Sequence, residues 1–175
     1  SKIFFYLKII AQQNNIKGLK SMNKPLFKVA LREDLQNNPE FLPTKAEPKA
    51  AGYDVRCASK DGIEIKPGEY FKIPLGFRVF QPQNFYLDLR PRSSTFMKKY
   101  IHALYGVIDE TFPEEMVFVG QFLPDANKLI SSQDKFRIEF GERIGQLIVH
   151  QVEQADFSLI SNEEMEKDLE ERKQI

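Results

Sequence analysis

The chain has 175 residues and a mass of 20.4 kDa, and its 25 Lys and Arg residues balance its 25 Asp and Glu residues. This length predicts one domain with a substantial core. The zero net charge excludes a general nucleic-acid coat, which needs a basic excess, so no stable nucleic-acid binding is expected. A single cysteine excludes an internal disulfide, and with only two histidines a zinc site is not expected. We therefore expect an intracellular protein of the cytoplasm, with the nucleus or a host cell's cytoplasm as open alternatives.

The first 24 residues differ in character from the rest of the chain. Their apolar run, Ile3–Leu7, is far shorter than the ~20 residues that a membrane helix needs. A signal peptide's apolar region can be that short, but no small-residue cleavage site follows it. Residues 1–24 are therefore interpreted as an N-terminal extension, disordered or accessory, and no membrane association is expected.

Residues 25–160 have the pattern of a β protein. Short runs of alternating or apolar residues are separated by Gly, Pro and Asn turns at intervals of about 8–12 residues. This spacing predicts a mainly β domain, a sandwich or barrel of the jelly-roll kind. The predicted strands are 27–31, 63–65, 70–74, 77–80, 85–89, 116–119, 136–140 and 146–150.

The acidic C-terminal segment, 161–175, changes from strand-like to helical pattern. Ser161 is suited to an N-cap, and Glu164 follows it three residues later, as in a capping box. This predicts a solvated terminal helix.

The first candidate motif is Ala51-Gly52-Tyr53-Asp54. A glycine allows a tight turn, which would present Asp54 at the mouth of a strand. A carboxylate there can orient the water shell of Mg²⁺. The alternative is a purely structural glycine turn before a strand.

The second motif, Pro91-Arg92-Ser93-Ser94-Thr95, concentrates hydrogen-bond donors. A guanidinium, two hydroxyls and their backbone N–H groups suit phosphate oxygens. The alternative is a short helix capped by a serine, and the two interpretations are compatible, because a helix N-terminus also attracts anions.

The third motif, Gly106-Val107-Ile108-Asp109, reads as a strand that ends in an acid, followed by a turn and Phe112. A hairpin of this form can offer backbone groups to the edge of a base. Asp109 can then act on a hydroxyl or a water, and Phe112 can lie flat against a sugar. The alternative is an ordinary hairpin with an exposed acid.

The fourth motif is a turn from Gly141 that runs directly into a strand. Arg143 and Gln146 are the polar groups at its head. Either could be an ordinary surface residue, but together with the other motifs they suggest parts of one site.

These four motifs, in this order and over Leu26 to Ile160, resemble the trimeric dUTPase family. The resemblance implies a small distorted jelly-roll β-barrel assembled as a homotrimer. It also implies active sites between subunits, with the third motif from one chain and the other three from its neighbour. The implied reaction converts dUTP and water to dUMP and pyrophosphate, with Mg²⁺ held across the triphosphate.

The same resemblance implies a role for each matching residue. Asp109 would contact the sugar 3′-hydroxyl and activate the attacking water, and Gln146 would contact phosphate or that water. Asp54 would contact Mg²⁺ through water. The implied substrate-binding residues are Arg92, Ser93, Ser94 and Arg143 for phosphate, Phe112 for the sugar, and Gly106, Val107, Ile108 and the surroundings of Val117 for uracil.

The chain departs from the family pattern at several positions. Phe112 replaces the usual Tyr, Glu114 replaces a usual Gly, and Ala103 and Leu104 supply no side-chain hydrogen bond to a base. The Gly-rich fifth motif, which closes over the triphosphate, does not follow the acidic segment. We expect the natural protein to continue past Ile175 into that arm.

Two alternatives follow from these departures. A dCTP deaminase would share the fold and the residues around Arg92 and Asp109, but Val119 stands where that family carries its catalytic Glu. A non-catalytic, nucleotide-binding or regulatory trimer is favoured by Glu114 and the missing arm. It is opposed by the presence of Asp54, Asp109 and Gln146.

Overall fold

The computed structural model describes residues 24–104, 106–124 and 136–173. The predicted N-terminal extension therefore lies outside the described residues, except for Lys24. Among the described residues no helix is long and apolar enough to cross a membrane.

The described residues are mainly β, as predicted. Two single-turn 3₁₀ helices, Glu33–Leu35 and Pro39–Phe41, interrupt the Pro-containing connection after the first strand. The strands are β1 (Lys28–Leu31), β2 (Tyr53–Arg56), β3 (Ile63–Ile65), β4 (Tyr70–Pro74), β5 (Phe77–Phe80), β6 (Phe85–Pro91), β7 (Ile101–Ala103), β8 (Gly106–Ile108), β9 (Val117–Phe122), β10 (Phe136–Ile138) and β11 (Arg143–Gln151). The α-helices are α1 (Ser93–Met97) and α2 (Asn162–Lys173).

The strands of the described residues form four antiparallel sheets. The largest has the order β2-β11-β6-β8, and a second has the order β4-β9-β7. Strands β1 and β5 form one pair, and β3 and β10 form another. None of these sheets closes on itself within the described residues.

Alternation along the strands decides which residues form the core. In β5, Phe77 and Val79 are buried, whereas Arg78 and Phe80 point outward. Burial of such alternate side chains is the main force that holds the sheets together. The largest fully buried side chains are Phe41, Phe77, Phe118, Leu35, Ile65, Ile73, Leu75, Ile101, Met116, Ile138, Ile144 and Val55.

The hairpin predicted for the third motif is wrong, because β8 does not pair with the strand that follows it. Strand β8 pairs with β6, and the following strand β9 pairs with β4 and β7. After β8 the chain is held elsewhere by Glu115. Its Oε1 accepts hydrogen bonds from Gly76 N at 2.9 Å and Arg32 Nη1 at 3.1 Å. Strand β7, which has only three residues, was not predicted.

The capping box at the C-terminus is confirmed. The backbone N–H of Ser161 donates to Glu164 Oε2 at 2.9 Å, and the backbone N–H of Glu164 donates to Ser161 Oγ at 3.2 Å. No residue of α2 is buried, as the prediction of a solvated helix requires.

Candidate active site

Strand β11 brings three of the four motifs together. It lies between β2, which carries the first motif, and β6, which leads into the second. Gln146 of the fourth motif stands opposite Asp54 on one side and Arg90 on the other. Directly opposed residues in adjacent strands share a face of the sheet, so the polar ends of these motifs form one surface.

Asp54 holds two arginines at this surface. Its Oδ1 lies 3.1 Å from Arg92 Nε, and its Oδ2 accepts a hydrogen bond from Arg143 Nη1 at 3.1 Å. The carboxylate is 11% exposed, whereas the two arginine side chains are 30% and 43% exposed. One negative charge therefore orients two positive charges, which leaves a local positive excess suited to an anion.

Gln146 lies directly over Gly52. Its Nε2 donates to the carbonyl of Pro91 at 3.2 Å. A Cβ at position 52 would overlap Oε1 of Gln146 and lie 2.9 Å from its Cβ. Glycine is thus required here by lack of space, and not by the tight turn that the sequence suggested.

Helix α1 presents the serines of the second motif. Ser93 is exposed and Ser94 is half-buried, and neither side chain hydrogen-bonds to the described residues. The short helix of the alternative interpretation is present, but the serine cap is wrong. Arg92 occupies the N-cap position without a side-chain capping bond, because a guanidinium has no acceptor for the helix N–H groups, and it extends to Asp54.

Two further residues tie α1 to the fourth motif: Thr95, to which the second motif assigned no role, and Lys99, which no motif contains. Buried Thr95 donates from Oγ1 to the carbonyl of Ile144 at 2.8 Å. Lys99 forms an ion pair with Glu142. Burial lowers the pKa of Lys99, and the nearby positive charge of Arg92 lowers it further. No pattern distinguishes Thr95 from the hydroxyls beside it, so this anchor could be found only from the structure.

Asp109 lies apart from this cluster in the same chain. Ile108, the last residue of β8, pairs with Leu87, and Arg92 comes five residues later on β6 and its extension. At ~3.3 Å per residue, that separation is roughly 16 Å, and Asp109 follows Ile108 directly. A single chain therefore brings together the first, second and fourth motifs but not the third.

The Asp109 carboxylate is exposed and makes no hydrogen bond or ion pair with the described residues. Its own carbonyl, by contrast, accepts hydrogen bonds from Gln81 Nε2 at 2.7 Å and Phe112 N at 3.1 Å. Phe112 and Val117 are each 38% exposed and Val107 is 66% exposed. The acid thus stands on a fixed turn with its carboxylate free and apolar surface nearby.

The fold is that of solved dUTPase structures. The chain is similar to the dUTPase from Streptococcus mutans, with a TM-score of 0.62 and 24% identity over 74% of this chain and 98% of that one. It is also similar to a mutant dUTPase from phage phi11 of S. aureus, with a TM-score of 0.64 and 17% identity over 78% and 97%. That phage structure was described for its coordination of a structural Mg(II) ion.

Sequence comparison gives the family. The dUTPase family model matches residues 39–174. The deoxyuridine 5′-triphosphate nucleotidohydrolase of Leptospira interrogans is 32% identical over 131 residues, which are 74% of this chain and 84% of that relative. The chain belongs to the dUTPase family. The family predicted from the four motifs is therefore confirmed, and with it the predicted enzyme class.

Proposed function

We propose that the chain hydrolyses dUTP to dUMP and pyrophosphate in a homotrimer with active sites shared between subunits. The observation that carries this proposal is the separation of Asp109 from the cluster of Asp54, Arg92 and Gln146 within one chain. A second copy that brings its Asp109 to this cluster would complete the site. In such an assembly the β sheets would form the distorted jelly-roll barrel that the family resemblance implies.

The arginine cluster would hold the triphosphate. Arg92 and Arg143 are already oriented by Asp54, so little side-chain freedom is lost when an anion binds. The hydroxyls of Ser93 and Ser94 have no competing partner among the described residues and would donate to phosphate oxygens.

The edge of the central sheet would receive the nucleoside. Strand β8 is paired only with β6, so one side of its backbone is open among the described residues. Its backbone from Gly106 to Ile108 would read the uracil edge, with Val117 nearby. Phe112 would lie against the deoxyribose, where its ring would keep the flat face of a tyrosine without the hydroxyl.

Asp109 would activate the attacking water. General-base catalysis needs a carboxylate within hydrogen-bond reach of the water, with the water in line with the α-phosphorus. The exposed, unpartnered carboxylate of Asp109 fits this role. Gln146, which is fixed over Gly52, would contact phosphate or the same water from the neighbouring chain.

The residues present fit a magnesium ion that arrives with the substrate. Among the described residues, no group of three or more His, Cys, Asp or Glu side chains could hold a metal by itself. Mg²⁺ commonly keeps several waters and takes its other ligands from substrate phosphates and one or two carboxylates. Asp54 would be the carboxylate that contacts its water shell, since each oxygen can accept more than one hydrogen bond. The bound ion would neutralise and orient the triphosphate.

Exposed apolar residues support assembly of several copies. Phe157 is 98% exposed and Leu159 is 100% exposed, both in the irregular segment after β11. Apolar side chains so fully in water favour a partner surface. A neighbouring subunit would cover them.

Pyrophosphate release from dUTP in the presence of Mg²⁺ tests this function. We expect turnover of dUTP but not of UTP or dCTP, and loss of turnover after chelation by EDTA. Release of ammonia from dCTP would instead identify a deaminase. Nucleotide binding with no turnover of any of the three would identify a regulatory trimer.

A further inference from the structure

Gln81 is a buried glutamine beside the turn that carries Asp109. It follows β5 and is only 4% exposed. Resting on the proposed function, we propose that Gln81 is a positioning residue for the catalytic acid. It fixes the backbone from which the Asp109 carboxylate projects.

The amide of Gln81 binds two consecutive carbonyls. Nε2 donates to the carbonyl of Ile108 at 3.0 Å and to that of Asp109 at 2.7 Å. Carbonyl oxygens accept only, so these two contacts fix which end of the amide faces the turn. Both carbonyls are thereby held relative to one buried side chain.

The oxygen end of the Gln81 amide lowers the stability of the fold at this position. Oε1 is buried and has no hydrogen-bond partner among the described residues. A buried polar atom without a partner destabilises a fold, and an apolar side chain of similar volume would avoid that loss. The two hydrogen bonds to the Asp109 turn are therefore the contribution of the glutamine that an apolar side chain could not make.

The loop that carries Gln81 is itself anchored. Asn84 adopts the left-handed conformation, with φ of 63°, and its N–H donates to Glu110 Oε2 at 2.9 Å. Its carbonyl accepts from Val152 N at 2.8 Å, just beyond β11. The loop thus joins the Asp109 turn to the strand that carries Gln146.

Catalysis should depend on this anchoring because the carboxylate of Asp109 has no side-chain partner of its own. The point from which its side chain projects is therefore set by the turn that Gln81 holds. A displacement of about 1 Å in a catalytic group can lower a rate by roughly 100-fold. We therefore expect loss of Gln81 to lower kcat more than it changes the KM for dUTP.

A pair of glutamine substitutions tests this role. Gln81→Met keeps the side-chain volume but removes the donor. Gln121→Met is the control for the same substitution at an exposed position, since Gln121 Nε2 also donates to a backbone carbonyl, that of Gly68 at 2.9 Å, and Gln121 lies outside the proposed site. We expect Gln81→Met to lower kcat by about 10- to 100-fold with KM within about threefold. Gln121→Met should stay within about twofold of the wild type.

Coupling to Asp109 separates positioning from general damage. In an Asp109→Asn background, Gln81→Met should add little to the loss, because the group that it positions is already removed. A full, multiplicative loss in that background would refute the inference. If Gln81→Met melts below the assay temperature, Gln81→Asn replaces it in both measurements. Its shorter side chain keeps an amide that cannot reach both carbonyls.

The outcomes distinguish this inference from the proposed function. An active wild type together with a folded Gln81→Met or Gln81→Asn protein of normal kcat would overturn the positioning role alone. A wild type with no dUTP turnover would overturn the proposed function and this inference with it.

Discussion

Asp54 and Gly52 act at this site through their neighbours. The carboxylate of Asp54 spaces two arginines, and the missing side chain of Gly52 leaves room for Gln146. Neither effect could be predicted from the residue types alone. In addition to the Mg²⁺ contact proposed for Asp54, the first motif therefore supports the second and fourth motifs.

Substitution of Gly52 by alanine tests this support. The new Cβ would force Gln146 out of its place, so we expect kcat for dUTP to fall by roughly 10- to 100-fold. The Gly52→Ala, Gln146→Gly double variant, which also removes the Cβ of residue 146, should be no less active than Gln146→Gly alone. A fully active Gly52→Ala enzyme would contradict the close contact.

Removal of the Asp109 carboxylate tests the proposed base. Asp109→Asn keeps the shape of the side chain but cannot accept the proton, so turnover should fall by roughly 100- to 10,000-fold. The melting temperature should hardly change, because the carboxylate has no partner among the described residues. Asp61→Asn, in an exposed turn before β3, is the matched control and should retain full activity.

At the scale of elements, most strands were predictable from the sequence, whereas β7 and the pairing of the strands were not. Alternation of apolar residues gave β3, β4 and β5 with their observed bounds. The hairpin of the third motif failed because pairing depends on distant contacts, such as that of Glu115 with Gly76. The motifs marked Asp54, Arg92, Arg143 and Gln146, which the structure brings together, but no pattern marks the backbone carbonyls to which Gln81 and Thr95 donate.

Helix α2 depends on its capping box, and this dependence should vary with pH. The pKa of Glu164 lies below its ordinary value, first because of the Ser161 backbone N–H and then because of the Ser161 hydroxyl. A lowered pKa in the folded helix means that the stabilisation is present above the unfolded pKa and is lost as pH falls through the folded pKa. Protection of α2 amides from hydrogen exchange, corrected for intrinsic rates, should therefore decline in acid.

Two substitutions check the capping box in the same exchange experiment. Ser161→Ala should lower protection of α2 at neutral pH by about fivefold, the effect of a typical lost N-cap. Glu164→Gln can still accept the bond but does not titrate, so the acid-dependent decline should disappear. Ser158→Ala, in the irregular segment before the helix, is the control. Unchanged protection in Ser161→Ala would contradict the role of the cap.

At the scale of the whole molecule, a balanced total charge conceals a local arrangement suited to an anion. Positive groups gather where β11 meets β2 and the end of β6, and the acid that would act on the substrate stands on the far edge strand β8. Under the proposed function each chain carries two halves of a site, which a second copy would join.

Complementation between two inactive variants tests that central claim most directly. Asp109→Asn and Gln146→Ala homotrimers should each be nearly inactive. In either one, every active site lacks one of the two required residues. When the two chains are mixed in equal amounts and assembled at random, about a quarter of the sites combine an intact Asp109 with an intact Gln146 from the neighbouring chain. We expect dUTP hydrolysis at about a quarter of the wild-type rate. Mixed trimers that are no more active than the separate variants would contradict the shared site.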